Sequence, residues 1–238
     1  MSNPVNLSTI LNEISLQIND NQLDRLSYYV KLLLRANQTT NLTAITDFDE
    51  ALLKHIYDSL LIMTLLEFRS AKSIIDVGSG GGLPGIPLAI CNPEKKIVSL
   101  EATQKKVNFQ IKAAQTLNLA NFYPVWGRAE TLANQNDHRE QYDLAIARAV
   151  APLNILAELT VPFVKLTGHA IFYKGKEVEK EIFNGTQAVN VLGAAIKGTK
   201  SFVLPYDYGA RFLVILNKMN HTLSNYPRKP GIPQKRPL

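Results

Sequence analysis

Apolar and polar positions near the start of the chain follow the period of a helix. Leu7, Ile10, Leu11, Ile14 and Ile18 recur at that spacing, as do Leu23, Leu26, Tyr29, Val30, Leu33 and Leu34 after the polar pair Asp20-Asn21. The polar, β-branched stretch NQTTNLTAITD then breaks the period. Asp47 and Glu50 have the spacing of a capping box, in which Asp47 accepts from an early helical N–H and Glu50 reaches back. A helix carrying ALLKHIYDSLLIMTLL is expected to follow. From Ser73 the rhythm changes. Short apolar runs alternate with helical stretches: SIIDVG with PGIPLAIC, KIVSLEA with KKVNFQIKAAQTL, FYPVWG with a short polar segment, YDLAIARAV with PLNILAELTVPFV, and HAIFYKG with KEVEKEIFNGTQAV. That alternation predicts an α/β fold, a parallel sheet covered by helices on both faces. KGTKSFVLPY and RFLVILNK lie a short loop apart and predict a closing antiparallel pair. The expected division is a helical cap over 1–68, an α/β domain over 69–220 and a tail over 221–238. The tail is proline-rich and basic, so it is expected to be extended and weakly ordered unless it docks.

At 238 residues the chain is long enough to bury a real core, and 46% hydrophobic with 19% charged residues is ordinary for a globular protein. The net charge is +6, and its placement says more than its size. Arg228, Lys229, Lys235 and Arg236 give the tail +4 with no acid, leaving +2 for the rest. The single cysteine, Cys91, excludes an intrachain disulfide and a cysteine zinc site, and the histidine spacing suggests no metal. MSNPVNLSTI lacks a basic segment followed by an apolar one, and no apolar run approaches the ~18 residues of a membrane span. A cytoplasmic protein with no membrane partner is the expectation, and a monomer is the default.

The stretch from Ile74 to Ile90, IIDVGSGGGLPGIPLAI, is the strongest candidate for chemistry. A glycine turn between a strand and a helix lets a ligand approach the backbone and meet free N–H groups. It is also what any tight strand-to-helix turn requires. A phosphate loop is excluded, because no glycine is followed by Lys-Ser or Lys-Thr. A dinucleotide site fits the pattern: Gly80, Gly82 and Gly85 satisfy GxGxxG, and Glu101 follows where a ribose-binding acid belongs. Asp76, two residues before Gly78, has no required role there. Asp76-Val77-Gly78-Ser79-Gly80 instead resembles the first motif of class I S-adenosylmethionine (SAM) methyltransferases. That resemblance places Glu101 on the ribose hydroxyls, Ala102 and Thr103 beside the adenine, Ala129-Glu130 in the loop against the adenine ring, Asp143 at the opening of the fourth strand and Arg148 near methyl transfer.

Longer segments resemble one family, the bacterial small-subunit ribosomal RNA methyltransferases called RsmG or GidB. They are NLTAI (41–45), KHIYDSL (54–60), DVGSGGGLPGIPLAI (76–90), EATQKKVNF (101–109), WGRAE (126–130), IARAVAPL (146–153), YKG (173–175) and YPRKPGIPQKRPL (226–238). The resemblance implies a Rossmann-like, mostly parallel seven-stranded sheet with an N-terminal helical extension. It implies transfer of a methyl from SAM to N7 of a guanosine in 16S rRNA of the small ribosomal subunit. The cofactor contacts it implies are Asp76, Gly78, Gly80, Leu83, Glu101, Ala102, Thr103, Ala129, Glu130 and Arg148. The chain departs from the family at Ala36, where members often carry tryptophan, and at Arg211-Phe212, where many carry Arg-His.

Guanine N7 carries a lone pair and no proton, so alignment matters more than a general base, and no catalytic acid or base is assigned. Because charge developing on the base is positive, Arg148 and Lys174 are expected to hold a phosphate or the SAM carboxylate. For RNA, Tyr173 and Lys174 at a strand end, Arg211, and the tail cations Arg228, Lys229, Lys235 and Arg236 are the candidates. Tyr28, Tyr29, Tyr57, Trp126 and Phe172 are aromatic as well, with core packing the plainer reading. His55 and Asp58, one helical turn apart, suit either a local bonded pair or a helix covering the cofactor.

Overall fold

The structure, a computed structural model, describes residues 5–148 and 151–238, so Ala149 and Val150 of the RAVAPL segment lie outside it. Helices α1 (Leu7–Glu13) and α2 (Asp20–Thr40) come first. The capping signal in α2 is complete: Asn19 accepts from the Gln22 N–H and Gln22 bonds the Asn19 N–H. At Asp47 only half of the expected box forms. Asp47 accepts from the Glu50 N–H at 2.8 Å, but the Glu50 carboxylate pairs with Lys54 at 2.6 Å instead of reaching back. The long helix expected after it is also divided. α3 (Phe48–Ala51) opens into a π-helical turn (Leu52–Tyr57), then α4 (Asp58–Leu60), a 3₁₀ turn (Leu61–Thr64) and α5 (Leu66–Ser70).

The alternating part is β1 (Ser73–Val77), α6 (Gly85–Cys91), β2 (Lys96–Glu101), α7 (Gln104–Thr116), β3 (Phe122–Trp126), α8 (Ala129–Leu132), β4 (Tyr142–Ala147), α9 (Leu153–Thr160), β5 (Val164–Lys174) and α10 (Val178–Val191). β6 (Ala194–Val203) and β7 (Ala210–Lys218) follow, and α11 (Ile232–Lys235) lies in the tail. The sheet order is β3-β2-β1-β4-β5-β7-β6, with β7 antiparallel to both neighbours. The chain reverses its direction of winding between β1 and β4, so a crevice opens at their carboxyl ends.

Strand side chains alternate between two cores. Ile74, Leu144, Ile146, Ile171 and Leu213 face a cluster built with α1, α2, α6, α7 and the helices up to Ser70. Ile75, Ala145, Phe172 and Val214 face the second cluster, under α8, α9 and α10. The N-terminal helices therefore share one continuous core with the sheet. Tyr29 shows the coupling: its ring is fully buried and its hydroxyl donates to the Gly81 carbonyl at 2.8 Å. Burial of such a ring stabilises by about 1.5–3 kcal/mol, and the hydrogen bond removes the cost of hiding the hydroxyl.

Candidate cofactor site

The glycines after β1 divide by task. Gly78 and Gly80 have φ of 76° and 57°, in the left-handed region that favours glycine. A Cβ on Gly80 would meet nothing within 4 Å, so open space lies beside its backbone. Gly82 shares that region with φ of 92°, but it, Gly81 and Gly85 are closed in by packing. A Cβ on Gly81 would come within 2.7 Å of Leu33 on α2, one on Gly82 within 2.5 Å of Ile86, and one on Gly85 within 3.0 Å of Asp76 and Phe122.

Beneath the loop lies a buried polar set. Ser99 donates to Gln110 Oε1 at 2.8 Å and accepts from the Ser79 hydroxyl at 2.6 Å, and Gln110 Nε2 donates to Ser79 Oγ and to the Gly80 carbonyl, both at 2.8 Å. Sequence reasoning missed Ser99 and Gln110. The signal was present: Gln110 stands on the apolar face of α7 between Val107 and Ala113. Three polar side chains fully bonded to one another hold the turn in one conformation.

Asp76 is fully buried. Its Oδ2 accepts from the Gly85 N–H at 2.9 Å, while Oδ1 has no partner among the described residues. Burial raises its pKa to about 7, against the opposing Gly85 bond and the charge of Arg148. Glu101, at the end of β2, bonds the Gly80 N–H at 2.9 Å and the Thr103 N–H at 2.7 Å. A carboxylate accepts about four hydrogen bonds, so Glu101 retains room for a diol. Ala102 and Thr103 are exposed next to it, and the exposed Trp126 ring is tethered by its Nε1–H to the Ala102 carbonyl at 3.0 Å. Open space at Gly80, an unpaired buried carboxylate oxygen and a half-engaged Glu101 suit a ribose and an aminoacyl group. Leu83 joins the first core with its side chain, and Ala129 is buried at the start of α8.

Other expected contacts are already engaged within the protein. The Glu130 carboxylate accepts from the Gly231 N–H of the tail at 3.0 Å. Asp143 lies at the amino end of β4, away from the crevice. It bonds the N–H groups of Lys72 and Ser73 and pairs with Lys165, and these bonds outweigh burial to bring its pKa down to about 2. It is a staple for the start of β1. Arg148 donates to Asp58 Oδ2 at 3.2 Å and to the Lys54 carbonyl at 2.9 Å, and Arg211 Nε lies 2.6 Å from Asp58 Oδ1. Arg148 thus has a protein carboxylate where a phosphate or cofactor carboxylate was expected. His55 and Asp58 do not bond each other; both meet Arg148, and His55 Nε2 lies 2.7 Å from the Thr43 hydroxyl. Burial and then Arg148 lower the His55 pKa to about 3, so the ring is neutral.

Tyr173 and Lys174 must be corrected as RNA contacts. Tyr173 is 3% exposed and donates to the Ser59 carbonyl; Lys174 is 4% exposed and is held by the Ala151 carbonyl and Glu181, both at 2.6 Å. Both side chains point from β5 into packed layers. The tail docks on the α/β domain, the condition under which it was expected to be held. Its Arg228 forks onto the buried Glu158 of α9, the Asn154 side chain bonds the Leu238 carbonyl, and Pro227 and Pro233 are buried. Arg228 is therefore committed to the fold, whereas Lys229, Lys235 and Arg236 are exposed. Glu158 was not anticipated, although an acid within LNILAELT was a visible irregularity.

The sheet order, the glycine loop after β1 and the acid ending β2 define a class I SAM-dependent methyltransferase. An O-methyltransferase from Bacillus cereus in complex with SAH has the same fold, with a TM-score of 0.56 at 14% identity over 89% of this chain and 97% of that one. The particular family follows from sequence: the chain belongs to the family described as rRNA small subunit methyltransferase G, whose profile matches residues 22–206. The ribosomal RNA small subunit methyltransferase G of Alkaliphilus metalliredigens is 41% identical over 226 residues, 95% of each chain. That of Bacillus cytotoxicus is 40% identical over 230 residues, covering 97% of this chain and 96% of the relative. Among the described residues no helix is long and apolar enough to cross a membrane.

Proposed function

We propose that this chain methylates N7 of a guanosine in 16S rRNA of the small ribosomal subunit, acting as a cytoplasmic monomer. The observation that carries the reading is the turn at Gly80, open on one side and tied to Glu101 on the other, in a chain of this family. SAM, when bound, supplies a methyl activated on a sulfonium with a neutral leaving group. Gly78, Gly80 and Asp76 would hold its aminoacyl part, Glu101 the ribose, and Ala102, Thr103 and the backbone at Ala129 the adenine. No residue needs to remove a proton, because N7 has none; the protein's role is alignment and exclusion of water. Asp58 pairs with both Arg148 and Arg211, which would temper positive charge beside a base that becomes positive. Lys229, Lys235 and Arg236 would neutralise RNA phosphates.

The test is mass mapping of 16S rRNA from cells lacking the protein, with methylation of their small subunits by the purified chain and labelled SAM. Loss of one N7-methylguanosine, restored in vitro, is expected. Full retention would sink the assignment. Calorimetry with SAM, its demethylated product and NADH tests the cofactor, and heat from NADH alone would favour the dinucleotide alternative.

A further inference from the structure

We propose that Tyr206 and Tyr208, on the turn joining β6 to β7, form a stacking platform for unpaired bases of the RNA substrate. The inference rests on the RNA-methylating reading above. Because β7 runs antiparallel to β5, with Phe212 opposite Lys174, this turn lies at the carboxyl edge of the sheet, on the side of the methyl-transfer crevice. The turn is closed by the Leu204 N–H bonding the Gly209 carbonyl at 2.8 Å, and Leu204 is buried beneath it. Above this anchor Tyr206 is 54% and Tyr208 37% exposed. Tyr206 and Asp207 both take left-handed backbone conformations, with φ of 57° and 58°, which is costly for residues other than glycine. The anchored turn presents both rings to solvent, where they contribute little to the core.

Their surroundings suit nucleic acid. Lys54 Nζ, which also pairs with Glu50 at 2.6 Å, sits 4.6 Å from the centre of the Tyr208 ring, and the Lys54 carbonyl receives Arg148 at 2.9 Å. Arg148 and Arg211 share Asp58. The turn is thus joined through the π-helical segment to the arginines beside the crevice. Exposed aromatic faces backed by cations are how single-stranded RNA is held while one base enters a site. Tyr173, the ring expected in that role, is in the core, and the turn supplies what it does not.

The experiment compares the double variant Tyr206→Ala/Tyr208→Ala with Tyr206→Phe/Tyr208→Phe in methylation of small subunits lacking the modification. The alanine pair is expected to raise KM for the subunit roughly 5- to 100-fold, the range for losing base stacking on a ring. The Kd for SAM and the melting temperature should stay the same, and the phenylalanine pair should behave as the unaltered chain. A benzoylphenylalanine photocrosslinker replacing Tyr206 should form its adduct with 16S rRNA. An unchanged KM in the alanine pair, or an adduct only with a ribosomal protein or a second copy of the chain, overturns the platform. Failure of the unaltered chain to methylate small subunits would instead overturn the activity on which the platform rests.

Discussion

Arg228 and Glu158 form a forked ion pair across 70 positions of sequence: Nε and Nη2 both donate to the carboxylate, and the Arg228 backbone N–H adds a third donor at 2.8 Å. Glu158 is fully buried on α9, so this contact sets where the tail runs. Removing one partner strands the other. Arg228→Ala is expected to destabilise the protein by about 3–5 kcal/mol, read by denaturant titration, because a buried charge loses its counter-ion. A change below about 1 kcal/mol would mean that the tail is held elsewhere.

The remaining tail cations should behave differently. Replacing Lys229, Lys235 and Arg236 together by alanine should leave the melting temperature alone. It should lower the slope of log affinity for RNA against log salt by about 2, at roughly 0.7 for each phosphate no longer neutralised. An unaltered slope would remove these three from the RNA surface.

Gly80 and Gly81, adjacent in the chain, are predicted to fail in opposite ways. Gly80→Ala places a methyl in open space on a left-handed backbone, costing about 1–2 kcal/mol, and obstructs the cofactor side. Calorimetry should show SAM affinity abolished in a folded protein. Gly81→Ala drives a Cβ against Leu33, so stability falls first as α2 is pushed from the loop.

Gln110→Met keeps much of the volume but removes the partners of Ser79, Ser99 and the Gly80 carbonyl. Leaving them buried and unsatisfied costs about 1–3 kcal/mol. With the turn no longer pinned, the Kd for SAM should rise as well. Loss of stability with unaltered SAM affinity would show that the set supports the core but not the site.

His55 makes stability depend on acid. Its folded pKa, about 3, lies below the ordinary 6.5, so the unfolded chain binds the proton more readily. The contribution of the neutral ring is complete above pH 6.5 and is lost progressively as pH falls from 6.5 toward 3. His55→Gln should flatten that limb in urea melts at pH 4, 5 and 7.

What the sequence determined by itself was local or periodic. The alternation of Ile74, Ile75, Asp76 and Val77, the glycines after them and Glu101 at the next strand end are short-range signals. With the runs KGTKSFVLPY and RFLVILNK they sufficed for the parallel strands and the closing antiparallel pair, while SAM rather than a dinucleotide followed from the resemblance of Asp76–Gly80 to a known motif. Burial of individual polar groups was not legible, because it depends on what arrives from elsewhere in the chain. Tyr173 and Lys174 looked exposed at a strand end, yet the helices ending at Ser70 and α10 cover them. Arg228 looked like an RNA ligand until α9 brought Glu158 to it. The meeting of Arg148 and Arg211 on Asp58 needs three segments brought together by the sheet order and a π-helical turn, and no local pattern encodes that meeting. Packing of distant elements decided which charges belong to the fold and which are left for a ligand.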